Sequence, residues 1–138
     1  MTFSCGLQTV LDKAFQLAKE NKHEYVTPEH ILSVALELDA VKGLLLFCGV
    51  DSVYIQKMVT DFLNTKIPIA ENIEPIQTEG FQNLLERSIV HCISAEKNSV
   101  ELTDVLVSMF EDNRLHCCYF LQKGNLSKLQ LLEVLRSK

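Results

Sequence analysis

Tryptophan is absent from the 138 residues, glycine occurs five times and proline three times. So little Gly and Pro excludes collagen-like and linker-like chains, and leaves few turn signals. Basic residues are also short, 13 Lys and Arg against 18 Asp and Glu, for a net charge of −5. Without a basic excess there is no electrostatic footprint for nucleic acid or an anionic membrane, and a basic partner suits the chain better. The longest apolar run, Val41 to Val50, contains Lys42 and two glycines, and it falls far short of the roughly 20 residues a membrane helix needs. Five cysteines (Cys5, Cys48, Cys92, Cys117 and Cys118) make an odd number without framework spacing, and no signal peptide precedes them. A reducing, cytoplasmic setting is expected.

Enzymatic and metal-binding signatures are missing too. The chain has no GxSxG and no cysteine-protease pattern, no phosphate-cradling GxxxxGK[ST], no CxxC and no HExxH, so no catalytic residues, cofactor or metal site are expected. His116, Cys117 and Cys118 are consecutive, and on a helix they point about 100° apart, too far to converge on one ion. His23 and His30 straddle a loop and a helix start and can approach each other, with Glu24 nearby. They are the two candidate metal ligands.

What is present is a composition of 47% hydrophobic and 22% charged residues, that of a globular domain. Sliding the chain by 74 residues lays GLQTVLDKAFQLA, from Gly6, over GFQNLLERSIVHC, from Gly80, and VTPEHILSVALE over VELTDVLVSMFE. The offset marks a duplication. A two-residue insertion near Gly124 lets Val50–Leu63 match the segment from Leu126. Apolar residues recur at helical spacing, as in Leu7, Val10, Leu11, Ala14, Phe15 and Ala18. The pattern predicts helices at about 4–21, 28–37, 40–48, 51–64, 79–96, 102–111, 114–122 and 126–136, with no strand of useful length. The expected fold is all-α: one domain over 1–138, with repeat one at 2–66, a linker at 67–78 and repeat two at 79–138, the two four-helix units related by a pseudo-two-fold axis.

The corner HEYVTPEHILSVALE, from His23, has a structural reading in part. Thr27 is a helix N-cap, Pro28 the first helical residue, and Glu29 an acid in the positive first turn. The second copy carries Lys97, Asn98 and Ser99 instead, then Glu101, a poor N-cap. Folding alone would tolerate similar corners in both copies, so the difference points to a partner surface on the first. Glu24 and Glu29 are both expected to be exposed.

These residues carry a family resemblance. HEYVTPEHILSVAL, with LAKENKHE leading into it, resembles the N-terminal domain of the Clp/Hsp100 ATPases, whose paired helical repeats each hold a T-x-E-H-[IL]-L segment. The degenerate second half is closest to the ClpA branch. The resemblance implies a non-catalytic, monomeric domain ahead of two AAA+ modules, which alone would bind ATP and magnesium. It implies docking of a ClpS-like adaptor that delivers substrate proteins, and action with ClpP through the full-length hexamer. Matched through the motif, Glu24, Glu29 and Thr78 are implied contacts. Glu24 and Glu29 would supply charge, His23 and Thr78 hydrogen bonds, and Tyr25 or Val26 apolar contact beside Thr27. Two alternatives stand beside it: direct capture of unfolded or tagged proteins in an apolar groove between the repeats, or a free-standing metal-binding helical regulator.

Overall fold

The computed structural model describes residues 2–136; the expected domain limits at Met1 and Lys138 lie outside the described residues. Eight helices are found among the described residues: α1 Cys5–Glu20, α2 Pro28–Leu36, α3 Asp39–Phe47, α4 Ser52–Lys66, α5 Glu79–Ser94, α6 Leu102–Ser108, α7 His116–Lys123 and α8 Lys128–Arg136. A 3₁₀ turn, Met109–Glu111, continues α6. No helix among the described residues is long and apolar enough to cross a membrane.

The buried faces show why these segments fold as they do. α1 buries Leu7, Val10, Ala14 and Ala18, and α5 buries Phe81, Leu84, Ser88 and Cys92. Each residue of the second set lies 74 positions after its counterpart, at the i, i+3, i+7 spacing of a single helix face. Ser88 stands where Ala14 does, and its hydroxyl donates to the Leu84 carbonyl at 2.9 Å. Ile31, Leu32 and Ala35 of α2 recur as Val105, Leu106 and Met109 at the same offset. From α3 onward the offset is 76: Val41, Leu44 and Leu45 become Cys117, Phe120 and Leu121, and Ile55 becomes Leu131. The two extra residues therefore lie between Met109 and Cys117, in the connection from α6 to α7, and not near Gly124. Each leucine, isoleucine or valine in these faces contributes about 1.5–3 kcal/mol by burial.

Four two-residue strands among the described residues were not foreseen. β1 (Thr2–Phe3) pairs in parallel with β4 (Ser99–Val100), and β2 (Tyr25–Val26) with β3 (Ile76–Gln77). The registers Thr2↔Ser99 and Tyr25↔Ile76 interchange when 74 is added to one member and subtracted from the other. Each half thus places its leading strand against the corner that follows the first helix of the other half. Two residues are too few for an alternating pattern to show in sequence.

Candidate functional site

α1 ends at Asn21, whose backbone and side-chain amides both donate to the Leu17 carbonyl. Lys22 then takes φ +58°, the chain reverses, and His23 N–H returns to the Ala18 carbonyl at 2.9 Å. This is a left-handed helix stop formed without glycine. Glu96, with φ +58°, repeats it in the second half, and Lys97 N–H reaches the Cys92 carbonyl.

Beyond this turn, both ends of the linker flank residues 22–26. Glu24 N–H donates to Pro68 and Ala70 N–H to Lys22 on one side; Ile76 N–H donates to Glu24 and Thr78 N–H to Val26 on the other. Two ion pairs, Lys19–Glu74 and Lys22–Glu71, fasten the intervening loop. Exposed ion pairs contribute little, so the backbone bonds carry this arrangement.

The corner sorts its residues by depth. His23, Val26, Thr27, Pro28, Glu29 and His30 are buried, while Glu24 and Tyr25 remain partly exposed. The exposure expected for Glu29 is corrected: only 4% of the residue is accessible. Its carboxylate accepts from the backbone N–H of Cys117 at 3.1 Å and from the Cys117 thiol at 3.2 Å. Glu29 therefore lies between the N-termini of α2 and α7, where the helix dipoles favour an anion. Burial first, and then the Glu29 charge, raise the Cys117 thiol well above its ordinary pKa, so that it stays a protonated donor.

His23 and His30 do meet, but through a hydrogen bond. Their Nδ1 and Nε2 atoms lie 2.9 Å apart, and His30 Nδ1 accepts from Thr27 N–H at 2.9 Å, with the Thr27 hydroxyl at the same distance. Burial lowers the pKa of both rings, that of His30 to about 4. Among the described residues no group of three His, Cys, Asp or Glu side chains could hold a metal ion. Thr78 caps α5, its hydroxyl accepting from Phe81 N–H at 3.1 Å. Glu101 does occupy the N-cap of α6, and the side chain of Asp104 makes up for it by accepting from Glu101 N–H at 2.8 Å.

Sequence reasoning missed three isoleucines of the linker. Ile69 bridges to His23, Ile76 pairs with Tyr25, and Ile73 lies between them in the chain. They are 69%, 57% and 46% exposed, respectively. A signal was available: KIPIAENIEPIQT holds four isoleucines in a proline-broken stretch that no helix could bury.

Residues 2–124 match the Clp repeat (R) N-terminal domain. The chain belongs to this family. It is similar to a ClpA homolog protein of Fuscovulum blasticum, 29% identical over 131 residues that make up 92% of this chain and 16% of that protein. The Clp N-domain fold is shared with the Hsp104 N-terminal domain of Candida albicans, at TM-score 0.84 and 16% identity, over 97% of this chain and 89% of that one. A ClpV N-domain solved in complex with a VipB peptide matches at TM-score 0.73 and 16% identity, over 94% and 82% of the two chains. This Clp N-domain thus spans about a sixth of the length of its ClpA-type relative.

Proposed function

We propose that this Clp N-domain is the partner-docking module of a ClpA-type unfoldase. It acts as a monomer, takes no part in catalysis, and receives a ClpS-like adaptor that hands over substrate proteins for ATP-dependent unfolding and ClpP proteolysis. ATP and magnesium belong to the AAA+ modules of such a protein. Repeat one (2–66), the linker (67–78) and repeat two (79–138) serve together as one platform.

The observation that carries this reading is the edge left at the surface of the first corner. Glu24 and Tyr25 stand partly exposed between Ile69 and Ile76, an acidic and aromatic pair among apolar neighbours. Such a centre with a charged rim suits a basic, partly apolar partner. The ClpV relative with its VipB peptide supports protein segments as ligands for this fold. His23, Val26, Thr27, Glu29 and Thr78 support the edge from beneath and beside it.

Glu24→Lys combined with Ile76→Ser tests the reading, because neither side chain is buried. Loss of one good apolar anchor and reversal of a rim charge should weaken adaptor binding by about 1–2 kcal/mol, roughly five- to thirtyfold. Unchanged affinity in a folded double variant, measured by fluorescence anisotropy, would place docking elsewhere.

A second reading, direct capture of unfolded segments, is favoured by a groove of about 240 Å³ between the halves, lined among others by Leu7, Val41, Leu44 and Leu102. Under that reading Leu102→Asp abolishes binding of an unfolded test protein, and the Glu24 and Ile76 variants leave it intact.

A further inference from the structure

The first residue after the left-handed turn reaches the third residue of the next helix in both halves. His23 meets His30 in the first; Lys97 meets Asp104 in the second, with Nζ 2.7 and 2.6 Å from the two carboxylate oxygens. Both partners map at the offset of 74. In each half the third helical residue also accepts the N-cap N–H, of Thr27 or of Glu101. One architecture is thus served by a neutral ring pair on one side and an ion pair on the other.

The protons of the ring pair can be placed from geometry alone. A backbone N–H can only donate, so His30 Nδ1 carries no proton and Nε2 does. His30 Nε2–H donates to His23 Nδ1, so a neutral His23 holds its own proton on Nε2, and the Leu63 backbone of α4 favours the protonated ring. A further proton must enter at one of the two Nδ1 atoms, and each already faces an N–H donor. Protonation therefore sets donor against donor and breaks the relay.

Among the described residues, the elements packed around the pair turn no compensating charge toward it. On the α1 side, Lys19 and Lys22 are turned to Glu74 and Glu71 of the linker; on α2, Glu29 faces Cys117; α4 presents the uncharged Leu63 backbone; and Glu79 at the start of α5 is exposed. Among the described residues, the charge that shifts His30 is that of His23, and no carboxylate is among the causes that shift either ring.

We propose that the first half carries an acid-released latch: protonation of the His23–His30 pair breaks the run of hydrogen bonds from Thr27 through His30 to His23 and frees the β2–β3 edge, while the Lys97–Asp104 corner holds. The second corner is already charged in its closed state and has no proton to gain until Asp104 titrates. Burial disfavours its charged forms, yet the bond between them outweighs this and holds Asp104 below and Lys97 above their ordinary values. The latch is closed above about pH 6.5, where a freed imidazole is neutral, and it opens as the pH falls toward about 4. Within that window opening gains up to about tenfold per pH unit for each proton taken up.

Amide hydrogen exchange of the 138-residue chain between pH 7 and pH 4.5, corrected for intrinsic rates, provides the test. The amides of Ile76 and Thr78, which bond Glu24 and Val26, should lose at least about tenfold in protection, while Ser4, which bonds Val100 in the matching place, keeps its own. Grafting the second corner onto the first, with His23→Lys and His30→Asp together, should abolish the loss. Should that graft fail to fold, His30→Asn, whose side-chain oxygen can accept from Thr27 N–H, should flatten the profile likewise. Unchanged protection at Ile76 and Thr78, equal loss at Ser4, or undiminished pH dependence in the folded variants would each overturn the proposal. The readout involves no partner, so failure here leaves the docking reading standing, and failure of docking leaves the latch.

Discussion

Glu29 on α2 accepts from both the backbone and the thiol of Cys117 on α7, 88 positions away in sequence. A carboxylate so placed ties the two halves together, and its removal leaves a buried N–H with no acceptor. Glu29→Ala should cost about 2–3 kcal/mol, since hydrogen bonds to charged groups lie in that range. A melting temperature lower by roughly 6–12 °C is expected for a chain of this size, and a drop of less than 2 °C would remove Glu29 from the fold's supports. Charge reversal at Glu29 would confound docking with unfolding, which is why Glu24 carries the binding test.

Thr78→Ala should remove the N-cap of α5 at a cost of about 1 kcal/mol, and Thr78→Ser should restore it. Urea denaturation of the three proteins checks this, with an unchanged slope and a shifted midpoint for the alanine variant. Equal midpoints for all three would show that the bond to Phe81 N–H is idle.

Stability should fall on acidification well before the carboxylates titrate. His30 has a folded pKa of about 4 against about 6.5 unfolded. The unfolded chain therefore binds the proton first, and stability is full above pH 6.5 and lost as pH drops toward 4. The loss from this group is about 3 kcal/mol at most. Asp104, held below its ordinary value, acts later: its contribution is present above about pH 4 and lost as pH falls through the lowered folded pKa. Denaturant midpoints that stay flat from pH 7 to pH 5 would contradict the first step.

Gly124→Ala should destabilise without any backbone strain. A Cβ there would lie 2.5 Å from Ile55 Cγ1 and 2.6 Å from its Cδ1, and Ile55 is fully buried. Overpacking of this kind costs about 1–3 kcal/mol. Combining it with Ile55→Ala should cost less than the two single changes added, because the second removes what the first collides with.

The helices were legible because each buries one face at a helical period, as Leu7, Val10, Ala14 and Ala18 do. The strands were not, because Thr2 and Phe3 find partners at Ser99 and Val100 and are too few to alternate. Glu29 read as an exposed acid, since a first-turn carboxylate is explained by its own helix dipole and nothing local announces Cys117. The corner itself stood out by comparison of the two copies, His23, Glu24 and Tyr25 against Lys97, Asn98 and Ser99. What that comparison could not show was depth, which depends on the linker wrapping residues 22–26.

The exchange of leading strands has a consequence for a nicked chain. A protease that cut after Glu71, in the loop between Pro68 and Pro75, would leave β1 of the first fragment seated against β4 of the second, and β3 of the second against β2 of the first. Glu29 and Cys117 would still bridge the cut. The fragments should co-elute under native conditions and separate only in denaturant, so the covalent connection matters for bringing the halves together and little for keeping them so.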